Sequence, residues 1–175
     1  MQLSQALSLI RDIPDFPSSG ILFKDITPLL AEPNALATIT AELSRSSHPF
    51  SHVVGVEARG FILGSAVALH TASGFVPFRK AGKLPHTTVA RSYGLEYGSD
   101  ILEAHSDALS PEHSVLLVDD VLATGGTLVA ALEIIAELGA QVSEVVVLFE
   151  IEGLGGREKI SEKFPDVTIR SLVRA

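Results

Sequence analysis

The stretch VLLVDDVLATGGTLVAALEII, Val115–Ile135, constrains the fold more than any other. Successive side chains of a strand point to opposite faces, so the four apolar residues Val115–Val118 predict a strand covered on both sides. Two acids follow, and then a turn of small residues, Ala123–Thr127. Beyond it Leu128, Leu132, Ile135 and Leu138 fall on one face of a helix that Gly139 stops. A doubly covered strand feeding directly into a helix is the repeating unit of a parallel sheet, because parallel neighbours need a crossover.

The rest of the chain alternates in the same way. Strands are expected at Ile21–Phe23, His52–Val56, Gly74–Lys80 (GFVPFRK), Asp100–His105 (DILEAH), Glu144–Ile151 and Val167–Val173. Helices are expected at Gln2–Arg11, about Asn34–Arg45, Phe61–His70 and Arg157–Lys163. Asp12–Gly20 is rich in turn residues, and Gly82–Gly98 is polar without a clear period. The pattern predicts an α/β fold with a parallel sheet and helices on both faces. At 175 residues one domain is expected, and no internal repeat is visible.

Composition narrows the function classes. The chain has no Cys, which excludes disulfides, thiolate catalysis and zinc fingers and fits a reducing compartment, the cytoplasm. Thirteen basic against 21 acidic residues leave a net charge of −8, the wrong sign for a nucleic-acid partner. No apolar run approaches the roughly 20 residues of a membrane helix, and MQLSQALSLIRDIPDF lacks the features of a signal peptide. The six His have no helical metal-ligand spacing.

Asp119 and Asp120 stand where the buried strand is expected to end. Adjacent carboxylates repel, and burial without partners is costly, so the pair calls for a ligand. Ligands of open α/β sheets bind beyond the carboxyl ends of the strands. Ala123, Thr124, Gly125, Gly126 and Thr127 then open a helix with close backbone approach, free N–H groups and two hydroxyls, which suits a phosphate. The acids precede this loop, unlike the ribose acid of a dinucleotide fold, and no Gly-Lys-Ser/Thr follows as in a P-loop. Phosphate beside two acids suggests a sugar phosphate whose diol hydroxyls donate to the carboxylates. The plainer alternative is a tight turn capped by Thr124 with solvated acids.

Other constellations point the same way, each with a plainer counterpart. Arg59 in VEARGF opposes the dipole of the helix it begins, which makes sense beside a bound anion; otherwise it pairs with a nearby carboxylate. Arg79, Lys80, Lys83 and Arg91 place four of 13 basic residues in 13 positions, fitting a diphosphate or a solvated face. The long polar segment that follows suggests a lid carrying Glu96 and Tyr97 in LEYG; the plain reading of Glu96 is an exposed loop acid.

VLLVDDVLATGGT resembles the phosphoribosyl diphosphate signature of type I phosphoribosyltransferases. DFPSSGILFKDITPLL, GVEARGF, RKAGKLP, SYGLEYG and LGGREK are similar to segments of the adenine-specific branch, in the same order over nearly the whole chain. The resemblance implies a five-stranded parallel core with a small hood, to which residues 1–33 contribute, and a flexible catalytic loop at about 85–100. It implies a Mg²⁺-dependent pentosyl transfer from phosphoribosyl diphosphate to adenine, giving AMP and diphosphate, in a cytoplasmic homodimer without nucleic-acid or membrane partners. Mg²⁺ is expected mainly on substrate oxygens, with no dedicated protein ligands. Asp119, Asp120 and Ala123–Thr127 would bind the phosphoribosyl group, and Arg59, Arg79, Lys80, Lys83, Arg91 and Tyr97 the remainder of phosphoribosyl diphosphate. Glu96 would be catalytic. Leu22, Phe23 and Leu154 would enclose the adenine, and the Glu57–Ala58 bond would be cis. His86 follows Pro85 where Tyr or Gly is commoner in the family. Alternatives are a transferase for xanthine or hypoxanthine, or a regulator that senses phosphoribosyl diphosphate and would need a DNA-binding face.

Overall fold

The computed structural model describes residues 1–95 and 98–174. The chain divides into two compact units, 1–44 and 45–175.

The first unit contains α1 (Leu3–Leu7), β1 (Arg11–Pro14), β2 (Leu22–Asp25), α2 (Thr27–Ala31) and α3 (Pro33–Leu43). Its core is Ala6, Ile26, Leu29, Ala35, Ile39 and Leu43, all buried. The expected helix Gln2–Arg11 is shorter: α1 stops at Leu7, and Arg11 joins β1. Asp12–Pro14, expected as turn, is also strand. Cross-strand charge pairing explains both. β1 lies antiparallel to β2 with Arg11 opposite Asp25 and Asp12 opposite Lys24. Both pairs close as salt bridges, at 2.7 and 2.8 Å.

The second unit contains β3 (His52–Val56), α4 (Arg59–Thr71), β4 (Gly74–Lys80), β5 (Thr88–Leu95), β6 (Gly98–His105), β7 (Ser114–Leu122), α5 (Gly126–Glu137), β8 (Gln141–Glu150), α6 (Gly156–Lys163) and β9 (Ile169–Arg174). Its seven-stranded sheet has the order β5-β6-β4-β3-β7-β8-β9. The five strands from β4 to β9 run parallel, and β5 and β6 are antiparallel additions at one edge. The segment expected as a long polar loop is therefore largely strand, from Thr88.

The order of strands determines where a ligand can enter. β3 passes through α4 to β4 in one direction along the sheet, and β7 passes through α5 to β8 in the other. Crossovers are right-handed, so α4 covers one face and α5 the opposite face. The connections part company between β3 and β7, leaving a crevice at their carboxyl ends. Below it Val54, Val56, Val115, Leu117, Val145 and Val147 form the core with Leu128, Leu132 and Ile135 of α5.

Candidate active site

The acids do not mark the end of a strand. β7 continues to Leu122 along β8, with Asp119 opposite Val147, whereas its pairing with β3 stops at Gly55 and Val118. Asp119 and Asp120 are thus carried on a supported strand just past the end of β3. Both are buried, which excludes the reading as solvated caps. Asp119 Oδ1 accepts the Asp120 N–H at 2.8 Å, and Asp120 Oδ2 meets Arg59 Nη2 at 2.7 Å. Gly60 makes this possible: a Cβ there would come within 2.8 Å of Asp119 Oδ1. Burial, and next the Asp120 charge, push the Asp119 carboxyl well above its usual range. Burial also raises Asp120, against the opposing pull of Arg59.

Beyond the acids, Gly125 takes a left-handed φ of 77° immediately before α5. The loop rests on the start of α6, where a Cβ on Gly156 would lie 2.1 Å from the Ala123 carbonyl oxygen. Ala123–Thr127, Asp119, Asp120, Glu57, Lys80, Tyr93 and Asp100 together line one cleft of about 290 Å³. The first-turn N–H groups of any helix have no intrahelical acceptor, so the start of α5 provides an anion cradle.

The expected diphosphate-binding cations all have carboxylate partners. Arg59 holds Asp120. Lys83 and Arg79 both turn to Glu57. Lys80 Nζ is 2.7 Å from Asp100, and Arg91 is paired with Glu137 and lies 3.8 Å from Glu133. Burial alone would raise Glu57, but Lys83, the Lys80 N–H and Arg79 outweigh it and hold the carboxyl below its usual value. Arg91 is not brought to the cleft. It is held towards the far end of α5, roughly 16 Å of helix from the phosphate loop at 1.5 Å per residue.

Leu22 and Phe23 lie in the first unit, with Phe23 edge-on to Phe16 at 5.1 Å. Leu154 lies in the second, in the loop between β8 and α6. Leu22 and Leu154 are about half exposed. The Glu57–Ala58 bond is cis. Glu96 and Tyr97 lie outside the described residues. Sequence reasoning missed Glu57, Tyr93 and Asp100 as cleft residues. Glu57 could have been found from its place just after a strand that reads clearly as one, at the end where ligands enter.

Residues 24–172 match the family model described as the phosphoribosyl transferase domain. The chain belongs to the phosphoribosyltransferase family. A relative from a Nocardioides species named adenine phosphoribosyltransferase is 55% identical over 164 residues, covering 90% of this chain and 89% of that one. The adenine phosphoribosyltransferase of Thermoanaerobacter pseudethanolicus superposes with a TM-score of 0.94 at 41% identity, covering 99% of this chain and all of the other. The Giardia lamblia enzyme, solved in complex with 9-deazaadenine, gives a TM-score of 0.92 at 42% identity, with 100% and 98% covered. Within this phosphoribosyltransferase fold, the two buried acids and the glycine turn occupy the sheet's topological switch point.

Proposed function

We infer that the chain transfers the 5-phosphoribosyl group of phosphoribosyl diphosphate to adenine, giving AMP and diphosphate, in purine salvage. The observation that carries this reading is the buried Asp119–Asp120 pair running into the Ala123–Thr127 cradle, in a chain with adenine phosphoribosyltransferases as relatives. The cradle N–H groups and the Thr124 and Thr127 hydroxyls hold the 5′-phosphate. The ribose diol donates hydrogen bonds to Asp119 and Asp120. Their charge also stabilises the positive charge that develops at the anomeric carbon as diphosphate leaves. Arg59, Arg79, Lys80 and Lys83 exchange their carboxylate partners for the departing diphosphate. Glu96 manages the proton of the base, and Tyr97 belongs to the phosphoribosyl diphosphate site. Leu22, Phe23 and Leu154 keep the adenine-binding role that the family's motifs imply.

Mg²⁺ fits this cleft. Asp119 and Asp120 bring two adjacent buried carboxylates to it, Asp120 with Arg59 at one oxygen, and hard oxygen donors suit a hard cation. Among the described residues no group of three or more His, Asp or Glu forms a metal cage. Asp119 and Asp120 would face a cation held mainly on substrate oxygens, which when bound offsets the charge of the leaving diphosphate. The active form is a cytoplasmic homodimer in this reading.

The test is a chromatographic assay of nucleotide formation from phosphoribosyl diphosphate and Mg²⁺ with adenine, hypoxanthine, guanine and xanthine in turn. AMP from adenine is expected, with Glu96→Gln about 10²-fold or more lower in kcat and little changed in KM. Turnover of xanthine or hypoxanthine in preference to adenine, or of no base, overturns the reading.

A further inference from the structure

Lys80 ends β4, and its ammonium is one of the cations expected to meet the diphosphate. Its Nζ sits 2.7 Å from Asp100 Oδ2 on β6. The same oxygen accepts a hydrogen bond from the Tyr93 hydroxyl at 3.3 Å. Lys80, Tyr93 and Asp100 all line the cleft that holds Asp119 and Asp120. A carboxylate here has the wrong sign for a site whose ligand is an anion, yet it sits on a donor that the anion needs.

Resting on the reading of this cleft as the phosphoribosyl diphosphate site, we propose that Asp100 is a built-in stand-in for the substrate's anion, holding Lys80 and the Tyr93 hydroxyl until phosphate oxygens take over those donors. Three features support it. A carboxylate offers the same lone pairs to an ammonium and a hydroxyl as a phosphate does. Asp100 lies directly opposite Tyr93 in the β5–β6 register, so one ribbon delivers both groups. That ribbon also passes close above the cradle, because a Cβ on Gly126 would stand 3.2 Å from the Gly94 carbonyl oxygen. The Lys80 ammonium holds the Asp100 carboxyl below its usual value, so the charge is in place at neutral pH. The Lys80 side chain is 51% exposed and that of Asp100 24%. Water reaches such a pair, and its exchange for a ligand is an inexpensive step: exposed pairs contribute at most about 1 kcal/mol, equivalent to a roughly five-fold effect on affinity.

The experiment is calorimetric titration of the full chain with phosphoribosyl diphosphate and Mg²⁺, paired with steady-state kinetics. Asp100→Asn keeps the size and the acceptor for the Ile101 N–H but loses the charge. It is expected to bind phosphoribosyl diphosphate roughly two- to five-fold tighter, with KM for it falling by the same factor and kcat not rising. Asp100→Glu, which restores the charge, is expected to return affinity towards that of the wild type. A residue that merely shaped the ribbon would weaken binding on substitution, or move kcat and KM together. Asp100→Ser replaces the Asn variant if the latter fails to fold. Wild-type binding with unchanged or weaker binding in the folded neutral variant overturns the proposal alone. A wild-type chain that binds no phosphoribosyl diphosphate overturns the functional reading and this proposal with it.

Discussion

Asp119 shows at a single residue how function opposes stability. Its carboxyl is buried, beside a second carboxylate, and its pKa is raised. In the native protein it holds its proton to higher pH than in the unfolded chain. Stability therefore falls as pH rises from the ordinary carboxylate range to the raised native value, and above that value the full penalty is present. Asp119→Asn removes the penalty while keeping an acceptor for the Asp120 N–H. The variant is expected to melt a few degrees higher than wild type at pH 7, with the gain shrinking as pH falls towards 4, and to lose roughly 10²-fold or more in kcat. Calorimetric melting across that pH range, together with turnover, checks both. A variant that melts lower at pH 7 would show the acids to be part of the scaffold.

Among the elements, α6 is tied to the sheet by one charge cluster. Glu150, the last residue of β8, receives Arg157 from the first turn of α6 through Nε at 2.7 Å and Nη2 at 2.5 Å. Ser171 donates to it at 2.6 Å, and Arg157 Nη1 also reaches the Ile169 carbonyl. These bonds, the Arg157 pair above all, lower the Glu150 carboxyl to about 2. A depressed carboxyl stabilises above its unfolded pKa and loses that contribution as pH falls through the native value. Glu150→Gln is expected to lose roughly 2 kcal/mol at pH 7, with the difference from wild type narrowing below about pH 4.5 and gone near pH 2. Urea midpoints across this range check it.

Elements differ in how plainly they announce themselves. His52–Val56 and Gly74–Lys80 are read at their observed bounds, because doubly buried or alternating apolar runs state their period openly. β5 was hidden by Arg91. Val89, Arg91 and Tyr93 share the half-buried register, but the middle position holds a cation whose partners, Glu133 and Glu137, are on α5 and lie more than 40 residues away. β1 was hidden because charge pairs rather than apolar residues hold it, and α2, at five residues, is too short to show a helical period. The acids and the cradle are legible because their residue types are unusual there. Tyr93 and Asp100 are not, since only the β5–β6 register brings them into the cleft.

For the whole molecule, ligand binding is the broadest test of the cleft. A ligand that binds only the native state stabilises it by RT ln(1 + [L]/Kd), about 2.7 kcal/mol at a hundred times Kd. For a chain of this length that corresponds to a rise in Tm of roughly 5–10 °C. Millimolar phosphoribosyl diphosphate with Mg²⁺ is expected to give such a rise in a thermal melt, and an unchanged Tm would count against the cleft as its site. The pairing of β3 with β7 has a further consequence, for the order of events during folding. It joins His52 to Val115, residues 63 positions apart, and non-local parallel pairing is among the slowest contacts a chain makes. The Glu57 turn and the Asp119–Asp120 pair become neighbours only once this pairing exists. A growing chain accordingly carries no partial version of the cleft: it gains the power to bind late and all at once, as the middle of its sheet closes.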